Sequence, residues 1–69
     1  MNMLTREQEQ VLESNGFLAS DESFLYAGSN DVVRGDVVNL EVSSLENGSS
    51  FYSTTEDFFD ALLSFVEDK

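Results

Sequence analysis

The chain predicts an α+β domain: a small antiparallel sheet of two to three strands, with an N-terminal and a C-terminal helix packed on one face. Three observations carry that expectation. A capping box and an Asn-Gly stop bracket a short helix near the start. A second Asn-Gly separates two strand-like runs in the middle. Apolar residues recur at helical spacing toward the end.

Thr5 reads as the N-cap of the first helix. Gln8, three residues on, completes a capping box in which each side chain satisfies an orphan amide. Val11 and Leu12 supply the apolar face. Asn15-Gly16 ends the helix, with Gly16 in the left-handed C′ position. Leu12 then falls at C3 and Phe17 at C″, the pair that touches in a Schellman ending. The first helix is therefore expected from Arg6 to Ser14.

Ser23-Phe24-Leu25-Tyr26-Ala27 reads as a strand. Asp21-Glu22 precedes it and Gly28-Ser29-Asn30-Asp31 follows. Val32-Val33 reads either as a short strand or as the start of a longer one with Gly35 as a bulge. Residues 36–43 give the strongest strand signal, Val38, Leu40 and Val42 alternating with Val37, Asn39 and Glu41. Asn47-Gly48 signals a type I′ turn. With those two as the loop, Ser44 faces Phe51 and Val42 faces Ser53. Val38, Leu40, Val42 and Phe51 then line the core face, and Glu41, Ser43, Tyr52 and Thr54 line the other.

The second helix opens at Ser53-Thr54-Thr55-Glu56, where any of the three hydroxyls can cap. Glu56 and Asp57 sit in its first turn, where the helix dipole favours acids. At 100° per residue Phe58, Phe59, Leu62 and Val66 share one arc, with Leu63 and Phe65 at its edges. Glu56, Asp60, Ser64 and Glu67 lie opposite. No repeat or linker divides the 69 residues, so one domain is expected.

Charge dominates the composition. Fourteen acids face three bases, a formal net charge of -11, against the magnitude of about 2 to 8 that keeps a small domain soluble. Such a charge repels itself in the compact state. Leu, Val and Phe nevertheless fill 21 of 69 positions, above the roughly 20% below which highly charged chains stay disordered. Without cysteine there is no disulfide framework or thiolate metal site. The first residues lack the basic and apolar regions of a signal peptide, and the apolar runs are too short to span a membrane. A cytoplasmic protein, monomeric or homodimeric and without membrane or direct nucleic-acid binding, is the expectation.

The chemistry of catalysis is thinly represented. There is no His to shuttle protons, and the one Lys is Lys69. None of the ten serines has a His base or a G-x-S-x-G elbow. No EF-hand pattern occurs, and dense carboxylates alone read as a counterion atmosphere. The chain is expected to be neither an enzyme nor a cofactor binder. Arg34-Gly35-Asp36 reads as a turn or bulge, and Asn47-Gly48-Ser49 as turn chemistry.

The acidic exterior is therefore the functional signal. Candidate partner-binding residues are Glu56, Asp57, Asp60 and Glu67 on the second helix, with Glu41 and Tyr52 on the open sheet face. A rigid row of carboxylates can occupy a groove built for phosphates, because Lys and Arg there respond mainly to charge and spacing. In size, acidity and lack of catalytic residues, the whole chain resembles the small acidic inhibitors encoded by phages, the DNA-mimic anti-restriction and anti-CRISPR proteins. The resemblance implies a basic nucleic-acid-binding protein or CRISPR effector complex as partner, in the host cytoplasm. The alternatives are an antitoxin or immunity protein for a basic partner, and a small accessory phage protein whose charge serves solubility.

Overall fold

Helix α1 (Arg6–Ser14) forms where its local signals place it in the computed structural model, which describes residues 3–28 and 31–66. Both halves of the capping box are made: Gln8 N–H donates to Thr5 Oγ1 at 3.1 Å, and Thr5 N–H to Gln8 Oε1 at 3.0 Å. At the other end Gly16 has φ +100°. Its N–H donates to Glu13 O, and the Phe17 N–H donates to Leu12 O, the two bonds of a Schellman ending. Leu12 and Phe17 are both buried, so the ending also turns the chain into the core.

Five strands follow, β1 (Leu18–Ala19), β2 (Ser23–Ala27), β3 (Val32–Asp36), β4 (Glu41–Ser44) and β5 (Gly48–Phe51). They form one antiparallel sheet in sequential order. This corrects the expected two to three strands, while the α+β class stands. The extra strands have identifiable causes. β1 is two residues long, too short for periodicity to register. It pairs with β2 across Asp21-Glu22, where Ser20 N–H donates to Ser23 O at 2.8 Å. Val32-Val33 continues through Arg34-Gly35-Asp36 as one regular strand. Gly35 lies opposite both Phe24 and Val42, so it is neither turn nor bulge.

The strand expected over 36–43 is interrupted. Asp36 folds the chain back by accepting on Oδ1 from the Val38 and Asn39 amides at 3.0 and 3.4 Å, and on Oδ2 from Asn39 Nδ2 at 3.0 Å. An aspartate bonding amides two and three residues ahead is an Asx-turn. Leu40 completes the turn at φ +54°. Val37 and Leu40 are buried and Val38 is exposed, so the apparent alternation belongs to a turn that dips into the core.

The last hairpin also differs. The chain turns through Leu45-Glu46-Asn47, with Asn47 N–H on Ser44 Oγ at 2.9 Å and Gly48 at φ +73°. Ser44 pairs with Gly48 rather than with Phe51, a slip of 51 − 48 = 3 residues. An odd slip exchanges faces. Phe51 thus sits opposite Glu41 and is 69% exposed, while Tyr52 is half-buried against the core with its N–H on Leu40 O at 2.9 Å. The expected positions of Phe51 and Tyr52 are reversed.

Helix α2 (Thr55–Ser64) begins at Thr54, whose Oγ1 accepts from the Asp57 amide at 3.1 Å. Phe58 and Leu62 are fully buried. They meet Leu12 of α1 and Phe24, Val33 and Val42 of the sheet in a single core. Phe24, Gly35 and Val42 are cross-strand partners and share the face that α2 covers. The opposite face carries the exposed Leu25, Val32 and Phe51.

Candidate functional site

Among the described residues no polar or charged side chain is buried, so the acids lie at the surface. Two of them hold the fold together. Asp31 Oδ1 accepts from the amides of Val32 and Leu45, both at 2.8 Å, and so ties the start of β3 to the β4–β5 turn. Asp36 holds the turn after β3.

The outer face of α2 carries Glu56, Asp57 and Asp60, all exposed. Glu56 and Asp60 lie one turn apart, about 6 Å along the axis. No base occurs anywhere in α2, so its outward face is uniformly negative. The two termini of the helix are fixed differently: Thr54 caps the start, and the Phe65 N–H returns to Leu62 O at the end. The carboxylates therefore project from a capped helix that is docked through the buried Phe58 and Leu62. Glu67 lies outside the described residues.

Glu41 stands elsewhere. Its strand neighbour Val42 points into the core beneath α2, and successive strand residues alternate, so Glu41 points to the opposite sheet face. Asp36 and Phe51 are its cross-strand partners, and Arg34, Ser43 and Ser49 share the shallow hollow beside it. The expected set is thus divided. Glu56, Asp57 and Asp60 come together on α2, Glu41 lies across the sheet from them, and Tyr52 packs on the core side. Phe51 is the open-face aromatic that sequence reasoning placed inside. Its signal was the loop length of the hairpin, which Ser44 sets by bonding the Asn47 amide.

A third set of acids lines a hollow of about 180 Å³ between α1 and the β1–β2 turn. Its floor is Leu4, Phe24 and Val37, all buried, and the exposed Met3 and Val38 flank it. Glu9 from α1 and Asp21 and Glu22 from the β1–β2 turn stand around it. The Val37 N–H donates to Glu22 O at 3.0 Å, which fixes the turn against the β3–β4 connection. Among the described residues no group of three or more acids is gathered as a metal site.

Among the described residues, no helix is long and apolar enough to cross a membrane. No family model matches the chain, and neither a curated protein nor a solved structure matches it.

Proposed function

We propose that the chain is a protein-binding inhibitor that presents nucleic-acid-like charge to a basic DNA- or RNA-binding enzyme or CRISPR effector complex, and so blocks its nucleic-acid site. The supporting observation is the outer face of α2, where Glu56, Asp57 and Asp60 project without an intervening base from a chain of net charge -11. A helix docked through Phe58 and Leu62 holds those charges in place before binding, so little ordering entropy is lost on association. Lys and Arg that normally contact phosphates supply the attraction, and the bulk of the domain excludes the nucleic acid. Nucleic acid itself is repelled by like charge. No catalytic step or cofactor is part of this reading.

The second reading is an antitoxin or immunity protein for one basic partner. Phe51 favours it, because an aromatic left 69% exposed beside Glu41 has the form of an interface anchor. The two readings separate in one experiment. The tagged protein is used to capture partners from bacterial lysate, the complex is washed over a salt series and then challenged with duplex DNA. Charge mimicry requires a nucleic-acid-binding partner that salt and DNA both release, and that the pair Glu56→Lys with Asp60→Lys no longer captures. A single partner that resists salt and DNA but is lost with Phe51→Ser establishes the second reading and sinks the first.

A further inference from the structure

We infer that the hollow between α1 and the β1–β2 turn is a receptor for one long cationic side chain, lysine or arginine, on a protein partner. The inference shares with the proposed function only the premise that the partner is basic, and it concerns a different surface from α2. At about 180 Å³ the hollow is smaller than the roughly 300–1,000 Å³ of small-molecule sites, which suits one side chain rather than a cofactor. Its two chemistries select the occupant. Met3 and Val38, exposed above the buried Leu4, Phe24 and Val37, give the hollow an apolar lining that a bare ion would leave uncovered. Glu9, Asp21 and Glu22 also line it, and a purely apolar side chain would leave their negative charge without compensation.

Lysine and arginine satisfy both parts, since their methylene stems cover apolar surface while the charged tip reaches outward. A second copy of this chain is the poorest source of such a side chain, because it brings fourteen acids and only three bases. A separate, basic protein is the fitting one. The residues around the hollow come from α1, whose start is closed by its capping box, and from a turn that the Val37–Glu22 bond fixes against the β3–β4 connection.

The test is an NMR titration of the full chain, following the Met3, Val37 and Val38 methyls and all amides, with capped Gly-Arg-Gly, Gly-Lys-Gly and Gly-norleucine-Gly peptides. The arginine or the lysine peptide is expected to shift those three methyls saturably, and the norleucine peptide to do so at least about five-fold more weakly. Asp21→Asn with Glu22→Gln should weaken the cationic peptide by about five-fold, the scale of losing two exposed ion pairs. Glu13→Gln with Glu46→Gln, an equal loss of charge elsewhere, should leave it within two-fold, on the order of general screening alone. Equal binding of norleucine overturns the inference, as does saturation of the methyls on concentrating the protein alone. Shifts confined to residues 56–60 overturn it and leave the proposed function standing. An absence of shifts anywhere overturns the inference, and the proposed function then stands or falls by the capture experiment.

Discussion

A Cβ placed on Gly35 would stand 2.8 Å from Leu62 Cδ2 and 3.0 Å from Phe58 Cζ. The sheet and α2 therefore meet where the strand has no side chain, and the two fully buried residues of the helix fill the space that one would occupy. Arg34-Gly35-Asp36 owes its glycine to this contact and not to a turn.

Gly35→Ala should consequently destabilise the fold. A strand alanine gains about 0.5–1 kcal/mol over glycine in backbone entropy, but an extra methyl in a closed core costs about 1–3 kcal/mol. The net loss expected is about 1 kcal/mol, read as a lower urea midpoint. The double variant with Leu62→Val should lose less than the sum of the two single changes, because the smaller side chain yields the space. Strict additivity in that cycle would show that the two residues do not share it.

Leu40 gives a sign reversal. It sits at φ +54° yet is buried. Left-handed backbone costs a non-glycine residue roughly 1–2 kcal/mol, and here burial and the Tyr52 amide on Leu40 O hold it there. Truncation to either alanine or glycine forfeits the burial, at about 2–5 kcal/mol. Only glycine also removes the strain. Leu40→Gly should therefore be more stable than Leu40→Ala by about 1 kcal/mol, the reverse of the order in ordinary strand or helix. Urea unfolding of the two variants side by side measures the difference, and the ordinary order would show that the turn relaxes without Leu40.

How much of this was legible in the sequence depended on how far each signal reaches along the chain. Thr5, Gln8 and Asn15-Gly16 act within one turn of helix, and α1 follows them residue for residue. The buried arc of α2 is equally local. The sheet was harder, since register depends on loop geometry several residues away. Asn47-Gly48 carries the composition of a two-residue turn, yet Ser44 captures the Asn47 amide and the loop closes one residue longer, displacing all of β5. The alternation over residues 36–43 reads as one continuous strand, whereas the Asp36 side chain bonds the amides ahead of it and ends β3 there. The candidate site inherits that difference. The α2 carboxylates depended only on helical periodicity and emerge together, whereas Glu41 and Tyr52 depended on register and separate.

The acids should divide into two classes by mutation. Asp31→Ala leaves the amides of Val32 and Leu45 without their acceptor, a loss of about 1–3 kcal/mol where those amides cannot reach water. Asp60→Asn removes an equal charge from an exposed helix face and should change stability by less than about 0.5 kcal/mol, or raise it. Thermal unfolding of both at one ionic strength makes the comparison. Equal effects would mean that Asp31 contributes only charge.

Salt should stabilise the native chain. Its longest dimension is 32 Å, close to the Debye length of about 30 Å at 0.01 M, so at low salt nearly every charge acts on every other. At 0.1 M the length falls to about 10 Å and only neighbours remain coupled. With fourteen acids and three bases the coupling is repulsive. The urea midpoint should climb between 10 and 100 mM NaCl, on the order of that three-fold shortening, and change less beyond it. A midpoint that falls with added NaCl would identify the carboxylates as partners in stabilising ion pairs and remove the premise that they are held in reserve for a partner.

Phe51 and Tyr52 make the register testable and separate folding from binding. Phe51 is 69% exposed on the face away from α2, so Phe51→Ser should move stability by no more than about 0.5 kcal/mol. Tyr52 packs against the core, so Tyr52→Ala should cost about 1–3 kcal/mol, below the range for a fully buried aromatic. A two-residue turn at Asn47-Gly48 requires the opposite order, with Phe51 inside. If Phe51→Ser proves the damaging change, the hairpin pairs in that other register and the open face loses its aromatic. If the order holds, Phe51→Ser is the fold-neutral probe that separates an aromatic anchor from charge mimicry: loss of partner binding then reports the sheet face, and its retention leaves α2 carrying the interaction.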